Sequence, residues 1–99
     1  MRIEYKHNKT KDESYTLLDG FLSELQEQYK DSVQDYSKSW NDSKDVMEFS
    51  VSARGINISG KMQLYDNLVV IQADLPFLVR FYQSQLESMI KQKLKELFH

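Results

Sequence analysis

The stretch VMEFSVSARGINISGKMQLYDNLVVIQA, residues 46–73, decides the fold. It holds three apolar-rich runs, Val46–Ala53, Ile56–Tyr65 and Leu68–Ala73, separated by Arg54-Gly55 and Asp66-Asn67. Two-residue loops join antiparallel strands, and such a loop fixes the register. With Asp66-Asn67 as the loop, Leu64 faces Val69, Met62 faces Ile71 and Gly60 faces Ala73. With Arg54-Gly55 as the loop, Val51 faces Ile58, Phe49 faces Gly60 and Met47 faces Met62. Two different turns thus place Gly60, Met62 and Leu64 on one face. The row Phe49–Gly60–Ala73 sets a ring beside two small residues. The opposite face carries Glu48, Ser50, Ser52, Asn57, Ser59, Lys61, Gln63 and Gln72. One side of the sheet is therefore expected to be covered and the other wet. Tyr65, Leu68 and Val70 depart from the pattern, because alternation gathers them on the wet face.

On the N-terminal side, Tyr36–Trp40 reads as a strand ended by the turn Asn41–Asp45. Before it, a helix capped by Ser14 or Asp12 is expected to run to about Tyr29, with Leu18, Phe21, Leu22, Leu25 and Tyr29 on one face. Gly20 lies inside that helix, at a cost of about 1 kcal/mol relative to alanine. Ile3, Tyr5 and His7 alternate with polar residues as a first strand. On the C-terminal side, Pro76 suits the first turn of a helix and Asp74 suits its dipole. Leu78, Tyr82, Leu86, Ile90, Leu94 and Phe98 then recur every four residues, with Val79, Met89 and Leu97 beside them and no Gly or Pro between. This predicts a long amphipathic helix that buries one face. The expected fold is α+β: two layers, an antiparallel sheet of five strands with two helices on one face, in the order β-α-β-β-β-β-α.

Ninety-nine residues suit a single domain over 1–99. A formal net charge of −2, with the signs interspersed, supplies no basic field for nucleic acid. The basic run Lys91-Gln92-Lys93-Leu94-Lys95 is interrupted by no aromatic, and the wet sheet face lacks the stacked rings of an RNA-binding sheet. Cysteine is absent, which removes disulfides, thiolate metal sites and thiol nucleophiles. The first residues show no apolar signal region, and the run Leu68–Ile71 is too short to span a bilayer. A cytoplasmic protein without a transmembrane segment is expected.

Four features in order carry a family resemblance: the Trp40 turn leading into a strand, the Gly60 strand, the Leu68–Ala73 strand, and Leu75-Pro76-Phe77 opening a helix that bears Leu86, Ile90 and Leu94. On these, from about Ser14 onward and best over residues 60–97, the chain resembles the polyhydroxyalkanoic acid system family. These are small proteins named for polyester-granule gene regions. The resemblance implies a bacterial, granule-associated protein and brings no catalytic residue with it.

Chemistry is sparse in the residues themselves. The only histidines are His7 and His99, on a first strand and at the end of the sequence, and such a pair is usually structural or solvated. Asp42, Asp45 and Asp66 sit in turns, where short side chains bond the local backbone, and they lack calcium-loop spacing. No phosphate-binding glycine loop, nucleophile elbow or HExxH run occurs. No catalytic, metal or cofactor residue is therefore assigned, and a non-enzymatic role is expected. The first expectation is an interaction protein that meets a protein partner or an apolar granule surface, or pairs with itself, through Tyr65, Leu68 and Val70. The alternative is a carrier holding a lipid or hydroxyacyl group between the sheet and the C-terminal helix, in space beside Gly60 and Ala73.

Overall fold

Both loops act as the sequence indicates. In the computed structural model, which describes residues 1–98, β3 (Val46–Ala53), β4 (Ile56–Tyr65) and β5 (Leu68–Asp74) form an antiparallel meander. Its registers pair Leu64 with Val69, Met62 with Ile71, Gly60 with Ala73, Phe49 with Gly60 and Val51 with Ile58. Arg54 and Gly55 both take positive φ, 52° and 78°, as a primed two-residue loop requires. β2 (Val33–Trp40) joins β3, and β1 (Arg2–Lys6) joins β5, so the sheet order is β1-β5-β4-β3-β2. β2 begins earlier than Tyr36, and a register shift between Val33 and Asp35 interrupts its alternation there.

The helical stretch between β1 and β2 is broken in two, α1 (Lys11–Leu18) and α2 (Phe21–Gln28). Its cap is neither Ser14 nor Asp12 but Thr10. The Thr10 hydroxyl accepts the Glu13 N–H at 3.2 Å, and the Glu13 carboxylate accepts the Thr10 N–H at 3.0 Å. This is a capping box, and it satisfies two otherwise unpaired donors. Glu13 is held below the usual carboxylate range chiefly by the Thr10 backbone N–H, with help from its hydroxyl. Ser14, freed from capping, is fully buried. At the break, the Asp19 carboxylate accepts Lys38 Nζ and the Trp40 indole N–H, each at 2.9 Å. Lys38 Nζ also donates to the Asp19 backbone carbonyl. The helix is interrupted where its backbone is drawn to β2, and Gly20 sits at the N-terminus of α2.

The core lies between the helices and one sheet face. Ile3, Met47, Met62, Leu64, Val69 and Ile71 from the sheet meet Leu18, Phe21 and Leu22 from α1 and α2, and Leu94 and Phe98 from the last helix. Lys93 Nζ lies 3.7 Å from the Glu24 carboxylate, which ties that helix to α2.

The C-terminal stretch corrects the sequence reading. Pro76 does open it, but residues 77–82 form a 3-10 turn, and α3 spans Gln83–Phe98. Asp74 closes β5 instead of heading a helix. Leu94 and Phe98 are buried and Ile90 and Leu97 pack against the core, whereas Leu78 and Tyr82 face solvent. The reason is geometric. Residues 77–82 wind at three residues per turn, so a four-residue step there overshoots a turn by about 120°, against about 40° in α3. No single buried face holds them all. The half of the stripe that reaches the core turns the other half away.

Candidate contact surface

Residues 77–82 read Phe-Leu-Val-Arg-Phe-Tyr, with five large apolar or aromatic side chains in six positions. A 3-10 turn has three residues per turn, so only one direction in three points inward. Val79 takes it and is buried, as is Leu75 just before the turn. Phe77, Leu78 and Phe81 point in the other two directions, Tyr82 follows Val79 one turn later at the end of the segment, and the four are 72%, 69%, 76% and 60% exposed. The Phe77 and Phe81 rings meet edge to face at 5.9 Å. Arg80 is the only charge in the segment. Four such side chains within six residues exceed the scattered exposed hydrophobes of an ordinary surface. The sequence held a signal for this ledge: a turn apolar in five positions of six has no polar face to show to water.

The patch expected from alternation is smaller than three residues. Tyr65 and Leu68 are register partners across the Asp66-Asn67 loop, with Tyr65 exposed and Leu68 half-buried. Val70 lies on the same outer face but is only 2% exposed, and so offers no contact. It stands in an interior strand, paired with Glu4 on β1 and Gln63 on β4. The structure does not bring this pair together with the ledge in one side-chain contact. The two surfaces are treated as distinct.

A serine and a histidine do meet. His7 Nε2 lies 3.4 Å from Ser14 Oγ, the His7 ring stacks on Phe98 at 4.3 Å, and His7 Nδ1 accepts the Lys9 N–H at 3.0 Å. That last bond fixes the chemistry. With the Nδ1 lone pair engaged, the proton of the neutral ring sits on Nε2 and points at the serine. A general base needs the reverse arrangement. Ser14 is also fully buried, beyond a substrate's reach. The pair joins β1, α1 and α3, and burial holds His7 below its ordinary pKa. Trp40 is likewise engaged within the chain. It donates to Asp19 and meets the Tyr15 ring at 4.8 Å, with Lys44 Nζ on Tyr15 at 5.2 Å. Asp19 is held below the usual carboxylate range, first by the Lys38 hydrogen bond and then by Trp40.

Two open depressions bear on the carrier expectation. One of about 650 Å³ lies beside Gly60 and Ala73, edged by Arg2, Glu48, Lys61 and Gln72, and α3 does not border it. The other, about 500 Å³, runs between β1 and α3 and is edged by Glu4, Tyr5, Lys91 and Lys95. Charged side chains rim both, and neither is an apolar chamber between sheet and helix. The space over Gly60 is taken by the Phe49 ring, whose Cζ lies 2.9 Å from where a Cβ would stand. Among the described residues no three of His, Cys, Asp and Glu are grouped to hold a metal ion. No helix among them is long and apolar enough to cross a membrane.

No curated protein and no solved structure matches the chain. One family does: the family described as "Putative polyhydroxyalkanoic acid system protein" matches residues 1–98, a wider span than the residues that first suggested it. The matched span takes in all five strands and residues 77–82, and the chain belongs to the polyhydroxyalkanoic acid system family.

Proposed function

We propose that the protein is a non-enzymatic interaction module that docks onto the apolar surface of polyhydroxyalkanoate inclusions through Phe77, Leu78, Phe81 and Tyr82. The observation that carries this reading is the exposure of all four side chains within six residues. Membership of the polyhydroxyalkanoic acid system family supports the polyester as that apolar phase. The ledge is anchored on its inner side by the buried Leu75 and Val79, so the aromatics are presented without the core being opened. Aromatic side chains combine a large apolar area with few rotatable bonds, and so lose little entropy on docking. Arg80 can bury its stem and keep its guanidinium in water.

The test is co-sedimentation with polyhydroxyalkanoate particles. Phe77→Ser combined with Phe81→Ser removes both rings of the edge-to-face pair, at positions that bury little, and so leaves the fold intact by circular dichroism. Wild type is expected in the pellet and the double variant in the supernatant. Equal pelleting of the two proteins contradicts the reading. Tyr65→Ser with Leu68→Ser serves as the comparison, and is expected to pellet like wild type.

A further inference from the structure

The ledge poses a problem for the protein when no apolar phase is present, since four large side chains then face water. We infer that two copies of this chain pair through the ledge in solution, and that this pairing masks the surface until polyester displaces it. The inference rests on the ledge being the contact surface proposed above, and adds a second copy as its alternative occupant.

Area sets the strength of such a pair. An aromatic side chain has roughly 150–250 Å² to bury, so the four residues leave on the order of 500 Å² exposed per copy. Two copies would bury on the order of 1,000 Å² in all, at the lower edge of specific interfaces and in the range of transient ones. An interface of that size suits a reversible pair rather than an obligate dimer. A surface that must later be given up to another phase needs that weakness.

Charge sets the arrangement. Arg80 lies within the ledge and Asp74 lies three residues before Phe77; both are exposed. No ion pair joins either of them to another described residue. In a two-fold pair every contact occurs twice, since residue i of one copy meets j of the other and j meets i. Arg80 of each copy set against Asp74 of the other, which is presented from the end of β5, would make two complementary contacts. Pairing in parallel register would instead set arginine against arginine.

The experiment is sedimentation velocity on the full chain over a range of concentration. Wild type is expected to pass from monomer to dimer as concentration rises. Phe81→Ser, at an exposed position, is expected to keep the wild-type circular dichroism and to stay monomeric throughout. Arg80→Asp is expected to weaken the dimer at least tenfold, and Arg80→Asp with Asp74→Arg to restore it. Added polyester particles should leave no dimer in the supernatant fraction that remains in exchange with them. A wild type that is monomeric at all concentrations overturns the inference. So does a Phe81→Ser variant that still dimerises, or a double charge reversal that fails to restore pairing. Pelleting of wild type with polyester is read separately, so a failure of self-pairing and a failure of the docking reading give different results.

Discussion

Gly60→Ala should be among the most damaging single-methyl changes available in this chain. A Cβ at Gly60 would stand 2.2 Å from the Gln72 carbonyl oxygen, 2.8 Å from Ala73 Cα and 2.9 Å from Phe49 Cζ. The third contact is with a ring edge that can rotate. The first two are with the backbone of β5, which is held on its other side by β1. Relief therefore requires β4 and β5 to move apart where Gly60 pairs with Ala73, or the Gly60 backbone to twist out of the ladder. Overpacking of this kind costs about 1–3 kcal/mol, occasionally more, and a domain of this size has only about 5–15 kcal/mol in total. The expected loss is at or above the upper end of that overpacking range, because backbone atoms must yield and not side chains alone. Urea unfolding would show it as a lower midpoint at an unchanged slope. Gly20→Ala provides the internal comparison. A Cβ there meets nothing closer than the Glu24 carboxylate at 4.0 Å, so a change within about 0.5 kcal/mol is expected. If Gly60→Ala unfolds at the wild-type midpoint, the close packing of β4 on β5 is wrong, and space for a ligand beside Gly60 returns as a live reading.

Three further outcomes follow from the packing. Leu94→Ala should destabilise by about 2–5 kcal/mol as a full core truncation, whereas Leu86→Ala, half-buried and outside the core cluster, should cost well under half as much in the same urea assay. The depressed pKa of His7 makes the unfolded state the better proton acceptor once pH falls through 6.5, the ordinary histidine value. Stability should therefore be complete above that pH, fall as pH drops below it and level off beneath the folded value; His7→Gln should flatten this part of the unfolding profile, and an unaltered profile would count against the partly buried His7–Phe98 stack. Val70→Ser should destabilise, because it places a hydroxyl at a site closed to solvent, while Tyr65→Ser should be nearly silent in thermal melts.

The parts of the fold that were legible in the sequence are those set by short-range rules. Each hairpin loop fixes its own register, and Gly60 and Met62 answer to both loops at once, so one error would have shown as a conflict. The parts that were not legible depend on competition between elements. Nothing local shows that Asp19 will turn toward Lys38 and Trp40 and break the helix before Gly20. The start of α1 was available, since Thr10-Lys11-Asp12-Glu13 has the capping-box spacing, but Ser14 and Asp12 offered equally plausible caps. Strand alternation placed Val70 on the right face, yet exposure on a sheet also depends on the neighbours, here Glu4 and Gln63. The exposed aromatic turn is hidden in the sequence because a four-residue repeat looks like one face. The change from 3-10 to α-helical winding at Gln83 is what separates Leu78 and Tyr82 from Leu94 and Phe98.

The central claim, that residues 77–82 form the docking surface, is tested most directly by hydrogen exchange on wild-type protein with and without polyhydroxyalkanoate particles. Amides of the short 3-10 turn and the first turns of α3 should exchange quickly in the free protein and slow on binding, with the outer sheet face unchanged. Protection confined instead to the Tyr65–Leu68 hairpin, with residues 77–82 still exchanging freely on bound particles, would contradict it.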